Sequence, residues 1–176
     1  DWSSDVCSSD LGSSHTALLL AAGASRRLGR PKQLIEIDGE TLIRRMAAAA
    51  VATAPQRLYV ALGAEIVGCT AALAGLAVTI LHCSDWSLGM GATLAQAVRA
   101  IGPADAGLLV LGVDQPYLDA AHLQCLVDRW QQAPARAVAS GYGDTLGTPV
   151  IFPAHWGVRL SALSGDQGAR ALLRAE

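Results

Sequence analysis

Apolar and polar positions along the chain fall into two alternating rhythms. Residues 16–22, TALLLAA, form an unbroken apolar run that stops at Gly23, the pattern of a strand buried on both faces that delivers its end to a loop. The pattern returns in RLYVALG (57–63), LAVTILHC (76–83) and AGLLVLGV (106–113), the last running straight into Asp114. Segments with helical spacing lie between these runs. ETLIRRMAAAAVATA (40–54) is rich in helix formers, places Leu42, Ile43 and Met46 on one face, and is closed by Pro55. GATLAQAVRAI (91–101) predicts a second helix. DAAHLQCLVDRWQQA (119–133) predicts a third, capped by Asp119, with Leu123, Leu126, Val127 and Trp130 as its buried stripe. ARAVASGYG (135–143) and GTPVIFP (147–153) read as strands around a glycine-rich turn, and SGDQGARALLR (164–174) as the capped start of another helix.

This alternation predicts an α/β fold with a mostly parallel sheet and helices on both faces. No linker or internal repeat divides the chain. Such sheets bind ligands beyond the carboxyl ends of their strands, which singles out three loops: AAGASRRLGRPK, SDWSLGMG and VDQP.

Composition narrows the classes of partner. Residues 1–11, DWSSDVCSSDL, lack periodicity and a signal-peptide layout. They are identified as the conceptual translation of a common sequencing-library adapter and are set aside. The chain carries 13 Lys and Arg against 15 Asp and Glu, and Asp1, Asp5 and Asp10 of the adapter supply three of the acids. The remainder is close to neutral, which gives no electrostatic case for nucleic acid or membrane binding. A hydrophobic content of 52% fits a globular protein, and no apolar run reaches the roughly 18 residues of a membrane helix. Cys69, Cys83 and Cys125 are far apart, no CxxC occurs, and His15, His82, His122 and His155 are dispersed. Incidental thiols in a reducing cytoplasm are therefore expected, without a disulfide or zinc framework. With no initiator Met and an end inside a predicted helix, residues 12–176 are expected to be one domain, incomplete at its C-terminus.

The first loop holds Gly23 after a strand, small neighbours that let backbone N–H groups approach a ligand, and Ser25, Arg26, Arg27, Arg30 and Lys32 within a few residues. It matches neither the Walker pattern nor a dinucleotide fingerprint. Backbone donors and several cations in one turn suit a triphosphate, although an exposed basic turn has the same composition. Asp114, halted by Gln115-Pro116, projects a carboxylate at the same sheet edge. One carboxylate with phosphate oxygens makes a normal magnesium site, and an Asp before Pro is also a common turn-former. GMGATL (89–94) opens a helix and can press backbone against a base or ribose, while Met90 and Leu94 also suit a core. GDTLGTP and SGDQGAR suit a pocket wall as well as ordinary turns.

Taken in order, LAAGASRRLGRPK, GMGATL, LGVDQP, YGDTLGTPVIFP and SGDQGAR resemble the motifs of the molybdenum cofactor nucleotidyltransferases, in their cytidylyltransferase branch. The resemblance spans about residues 16–174. It implies a Rossmann-like nucleotidyltransferase fold and Mg²⁺-dependent transfer of CMP from CTP to the phosphate of molybdopterin, with release of pyrophosphate. It further implies that Leu20, Ala21, Ala22, Gly23, Ser25, Gly91 and Thr93 lie along the nucleotide, that Arg27 and Lys32 bind its phosphates, and that Asp114 holds the metal. Gly147, Thr148, Gly165 and Asp166 would then face the pterin. Ala22 stands where guanylyl-transferring relatives usually have a second glycine, which favours cytidine.

Two departures accompany the resemblance. Thr93 replaces a usual Ser but keeps a hydroxyl. The family normally continues into a last strand and helix with a metal-binding acidic turn, so this stretch is expected to have weak or no activity by itself. Transfer from GTP or to a sugar phosphate, and a non-catalytic role in handing the cofactor to a molybdoenzyme, are the rival readings.

Overall fold

The run at 16–22 becomes β1 (His15–Ala21), an interior strand of a six-stranded sheet in a computed structural model of the chain. The structure describes residues 14–25, 28–103, 106–166 and 168–173. Ala17, Leu19 and Ala21 face one hydrophobic cluster and Leu18 the other, all at most 1% exposed. Successive strand side chains point to opposite faces, so a strand covered on both sides must be apolar throughout.

After β1 come a short antiparallel ribbon, β2 (Glu36–Ile37) and β3 (Glu40–Thr41), and then α1 (Leu42–Val51). The chain continues through β4 (Leu58–Leu62), α2 (Ile66–Ala72), β5 (Val78–His82), α3 (Met90–Ile101) and β6 (Gly107–Gly112). It ends with α4 (Ala120–Gln132), a hairpin of β7 (Val138–Tyr142) and β8 (Thr145–Phe152), α5 (Gly157–Ser161) and α6 (Arg170–Leu173). The strand order is β5-β4-β1-β6-β8-β7; the first four run parallel and β8 pairs antiparallel with both neighbours. The expected α/β layering is present. Helices α1, α2 and α4 cover one face and α3 and α5 the other.

Helix α1 is shorter than its periodicity predicts. Glu40 and Thr41 pair with β2, and beyond Val51 the Thr53 hydroxyl donates to the Ala50 carbonyl at 2.8 Å. Asp119 caps α4 as expected, accepting from the His122 N–H at 2.8 Å, and the four residues of the predicted stripe are buried. Helices α2 and α5 and the short strand β2 lie in sequence whose pattern predicts no element. Glu65 caps α2 by accepting from the Gly68 N–H, while Arg44 of α1 donates to the carbonyls of Ala72, the last residue of α2, and of Ala74 just beyond.

The parallel ladder extends past the strands and aligns their carboxyl ends. Ala64 N–H donates to Ala22 O at 3.1 Å, Cys83 N–H to Leu62 O at 2.8 Å and Val113 N–H to Leu20 O at 3.2 Å. All three candidate loops therefore open at one edge.

Candidate active site

Beyond Ala21 the chain turns through Ala22, Gly23, Ala24 and Ser25 and comes back at Lys32, which starts a one-turn 3-10 helix, Lys32–Leu34. The turn is held by Gln33. This side chain is fully buried, and its amide donates to the carbonyls of Ala21 at 2.8 Å and Gly23 at 2.6 Å. Ser25 completes the clamp: its hydroxyl donates to Gln33 Oε1 at 3.4 Å and accepts from the Lys32 N–H at 2.9 Å. The buried Ala21 carbonyl would cost free energy without a donor, and the second bond, to Gly23, holds the turn, so Gln33 sets the shape of the loop and thereby the position of Lys32.

The Lys32 ammonium lies 3.1 Å from Asp114 Oδ2, at the end of β6, although the two residues are 82 positions apart. Both side chains are partly exposed, 30% and 54%. Water screens the pair, which adds little to stability and matters for placement. A cation and a carboxylate meet at the mouth of a cavity of about 380 Å³, lined also by Leu20, Ala21, Ala22, Gly23, Thr93 and Trp86.

The fourth side of this cavity joins two motifs far apart in sequence. Gly89, at the start of α3, has φ +119°, a left-handed conformation that favours glycine. A Cβ there would also lie 2.7 Å from the Asp166 backbone nitrogen, because the 165–166 turn packs directly on it. The Ala92 N–H donates to Gly165 O at 3.2 Å. Asp166 thus reaches the cavity beside Met90 and Thr148.

A second cleft adjoins the first through Asp114 and Thr148, lined by Gln115, His122, Tyr142 and Arg170 among others. Gln115 fastens the VDQP turn to the hairpin, its amide donating to Thr148 O at 2.6 Å and to the Tyr142 hydroxyl at 2.8 Å. Its Oε1 is buried without a partner among the described residues.

The structure gathers most of the expected site. Leu20, Ala21, Ala22, Gly23, Lys32, Thr93, Asp114, Thr148 and Asp166 line one cavity, and Gly147 lines the adjoining clefts. Three expectations fare differently. Ser25 turns its hydroxyl back into the loop, Gly91 is buried in the first turn of α3, and Gly165 is used to dock the 165–166 turn through its carbonyl. Arg27 lies outside the described residues. Gln33 and Trp86 are additions that the sequence does not single out, and Gln115, expected only to halt the strand, also fastens the turn.

The cysteines stand apart from this site. Burial, with Glu65 contributing, pushes the Cys69 thiol up to about 11. Burial and then Asp85 push Cys83 up likewise, so neither offers a thiolate near neutral pH. Among the described residues no cluster of three or more His, Cys, Asp or Glu could hold a metal, and no helix is long and apolar enough to cross a membrane. Asp114 and Asp166 on one cavity form a sparse all-oxygen donor set. That chemistry fits Mg²⁺, which keeps several waters and takes substrate phosphate oxygens.

Residues 17–176 match the MobA-like NTP transferase domain. The chain belongs to this family. Among its relatives, nicotine blue oxidoreductase of Paenarthrobacter nicotinovorans is 34% identical over 90% of this chain and 81% of its own. The purine catabolism protein PucB of Bacillus subtilis is 28% identical over 90% of this chain and 80% of its own. The crystal structure of Rv0371c from Mycobacterium tuberculosis superposes with a TM-score of 0.79 at 26% identity, covering 93% of this MobA-like chain and 83% of that one. A structure of Rv0371c in complex with manganese aligns with a TM-score of 0.76 at 25% identity, over 92% and 83% of the two chains. The chain is thus an NTP transferase domain by family, and it shares its α/β fold with these solved structures.

Proposed function

We propose that the protein is a molybdenum cofactor cytidylyltransferase, transferring CMP from CTP to the phosphate of molybdopterin with release of pyrophosphate. The observation that carries this reading is the Lys32–Asp114 pair at 3.1 Å on the cavity that the Ala21–Gly23 loop also lines. In the reaction an acceptor phosphate oxygen attacks the α-phosphorus of CTP. The bond from that phosphorus to the bridging oxygen breaks, and its electron pair leaves on pyrophosphate. The substrate brings its own nucleophile, so the protein's task is positioning and charge stabilisation.

Each residue has a part in that task. Lys32 offsets charge building on the departing pyrophosphate, and Arg27 is proposed to share this role. The backbone of Ala21, Ala22 and Gly23 lies along the nucleotide, held in shape by Gln33. Asp114, with Asp166 nearby, would hold Mg²⁺, which neutralises phosphate charge when bound. Lys32 and Asp114 pair with each other at 3.1 Å on this cavity, so each would exchange its partner for the phosphate or the metal it is proposed to hold. Thr148, Gly147 and Asp166 border the clefts proposed for the pterin. Ala22 supports cytidine over guanine, and a molybdoenzyme receiving the product in the cytoplasm belongs to the same proposal.

Pyrophosphate release with molybdopterin and competing CTP, GTP and UTP tests the reading. CTP is expected to prevail, and preference for another nucleotide would assign the domain to a different branch. The oxidoreductase name of the Paenarthrobacter relative favours one second reading, redox chemistry in the same cavity. Reduction of an acceptor dye without pyrophosphate release would support it.

A further inference from the structure

We propose that Trp86 is the platform on which the nucleobase of the bound nucleotide stacks. This inference rests on the nucleotide reading above and extends it to the base end of the cavity. Its basis is a division of the cavity across three strand ends. Strand β1 runs between β4 and β6, and neighbouring strands lie about 4.8 Å apart, so the ends of β4 and β6 are separated by roughly 10 Å. Lys32 and Asp114 occupy the β6 side. Trp86 lines the cavity from the β4 side, where it packs against Gly63.

The indole is seated closely against the sheet. A Cβ on Gly63, the residue after β4, would lie 2.5 Å from Trp86 Cγ, 2.7 Å from its Cβ and 2.7 Å from the Ala22 carbonyl oxygen. Only a residue without a side chain leaves that slot open. The backbone beneath the ring is also fixed: the Gln96 amide donates to Ser84 Oγ at 3.0 Å, and Gln96 Oε1 accepts from the Asp85 N–H at 3.1 Å. This ties the 3-10 helix Ser84–Leu88 to α3. Trp86 is partly exposed, whereas Trp130 and Trp156 are 2% and 1% exposed in the core. An aromatic side chain on the β4 side, with the Lys32 ammonium on the β6 side, matches the base and phosphate ends of a nucleotide.

Stacking tolerates any base, so Trp86 supplies affinity, and selection between bases falls to its neighbour Ala22. The platform and the phosphate site are separable by ligand. Pyrophosphate reaches only the Lys32 side, CMP and CTP reach both, and the acceptor lies toward Thr148 and Asp166.

The test measures binding of CTP, CMP and pyrophosphate, each with Mg²⁺, to the full chain and to Trp86→Ala and Trp86→Phe. CTP and CMP are expected to bind Trp86→Ala about tenfold or more weakly, as loss of one base-aromatic stack implies, with pyrophosphate binding unchanged. Trp86→Phe should keep most of the affinity. In the wild type, CTP and CMP should quench tryptophan fluorescence, pyrophosphate should not, and the quench should vanish in Trp86→Phe. Unchanged CTP binding by Trp86→Ala, or a quench that survives in Trp86→Phe, overturns the platform and leaves the nucleotide reading standing. A wild type that binds neither CTP nor pyrophosphate overturns both. Should Trp86→Ala not fold, the fluorescence comparison with Trp86→Phe decides.

Discussion

Two cavities of nearly equal size lie at opposite ends of the sheet, about 380 Å³ at the carboxyl end and about 350 Å³ at the other. The second is bounded by residues such as Thr16, Val98, Ile101, Pro103, Pro153 and Val158, where β1 and β6 begin and β8 ends. It is a mostly apolar recess, lined also by Arg99 and His155. The first has Lys32, Asp114, Asp166 and Thr93 converging on a backbone turn. Volume alone would not choose between them. The chemistry does, because parallel strands direct loop residues and backbone donors to their carboxyl ends, and binding sites need a few convergent polar groups.

The sharpest way to break this contrast is to remove charge from one end and bulk from the other. Lys32→Ala and Asp114→Asn are each expected to lower turnover more than about 100-fold, the scale for losing a group that stabilises transition-state charge. Val158→Ser, at the apolar end, should leave turnover within about twofold. Steady-state pyrophosphate release on the three variants checks this, and near-normal rates for both charge variants would remove the site assignment.

Next come substitutions that separate stability from binding. Gln33→Leu keeps the bulk but leaves the Ala21 and Gly23 carbonyls without this donor, at about 1–3 kcal/mol for the buried Ala21 group, while the exposed Gly23 carbonyl can turn to water. It should lower the melting temperature and raise KM for the nucleotide together. Leu160→Ala, 1% exposed beside the apolar recess, should cost about 2–5 kcal/mol with KM unchanged. Denaturant titration alongside kinetics distinguishes the two patterns.

The smallest effect belongs to His15, buried at the start of β1 with Thr53 Oγ1 at 2.9 Å. Burial lowers its pKa from 6.5, so the unfolded chain takes up the proton first as pH falls. Stability is therefore full above about 6.5 and declines as pH falls toward the lowered native value. His15→Gln should flatten that part of a melting-temperature profile between pH 8 and pH 5, and an unchanged slope would assign the acid sensitivity elsewhere.

The same division governs what sequence reveals. Strands β1, β4 and β6 are legible to within one residue because burial on both faces demands continuous apolar runs, and the partly buried edge strand β5 to within two. Helix α2 is not, since it carries Gly68 and draws support from Arg44 on another helix. Lys32 and Asp114 are visible as charges at strand ends, but their meeting depends on β1 and β6 being neighbours. Gln33 and Gln115 act through side-chain amide bonds to carbonyls that only the folded loops bring near. Ser25 shows the converse, a hydroxyl whose place in the motif suggests the ligand and whose bonds close the loop.

Hydrogen exchange with and without CTP and Mg²⁺ tests the central claim most directly, since it reports on both ends of the sheet at once. Slowed exchange is expected in peptides covering residues 20–25, 32–34 and 86–94, with residues 98–103 and 153–161 unaffected. Protection confined to 98–103 and 153–161 would contradict the account and place the nucleotide in the apolar recess.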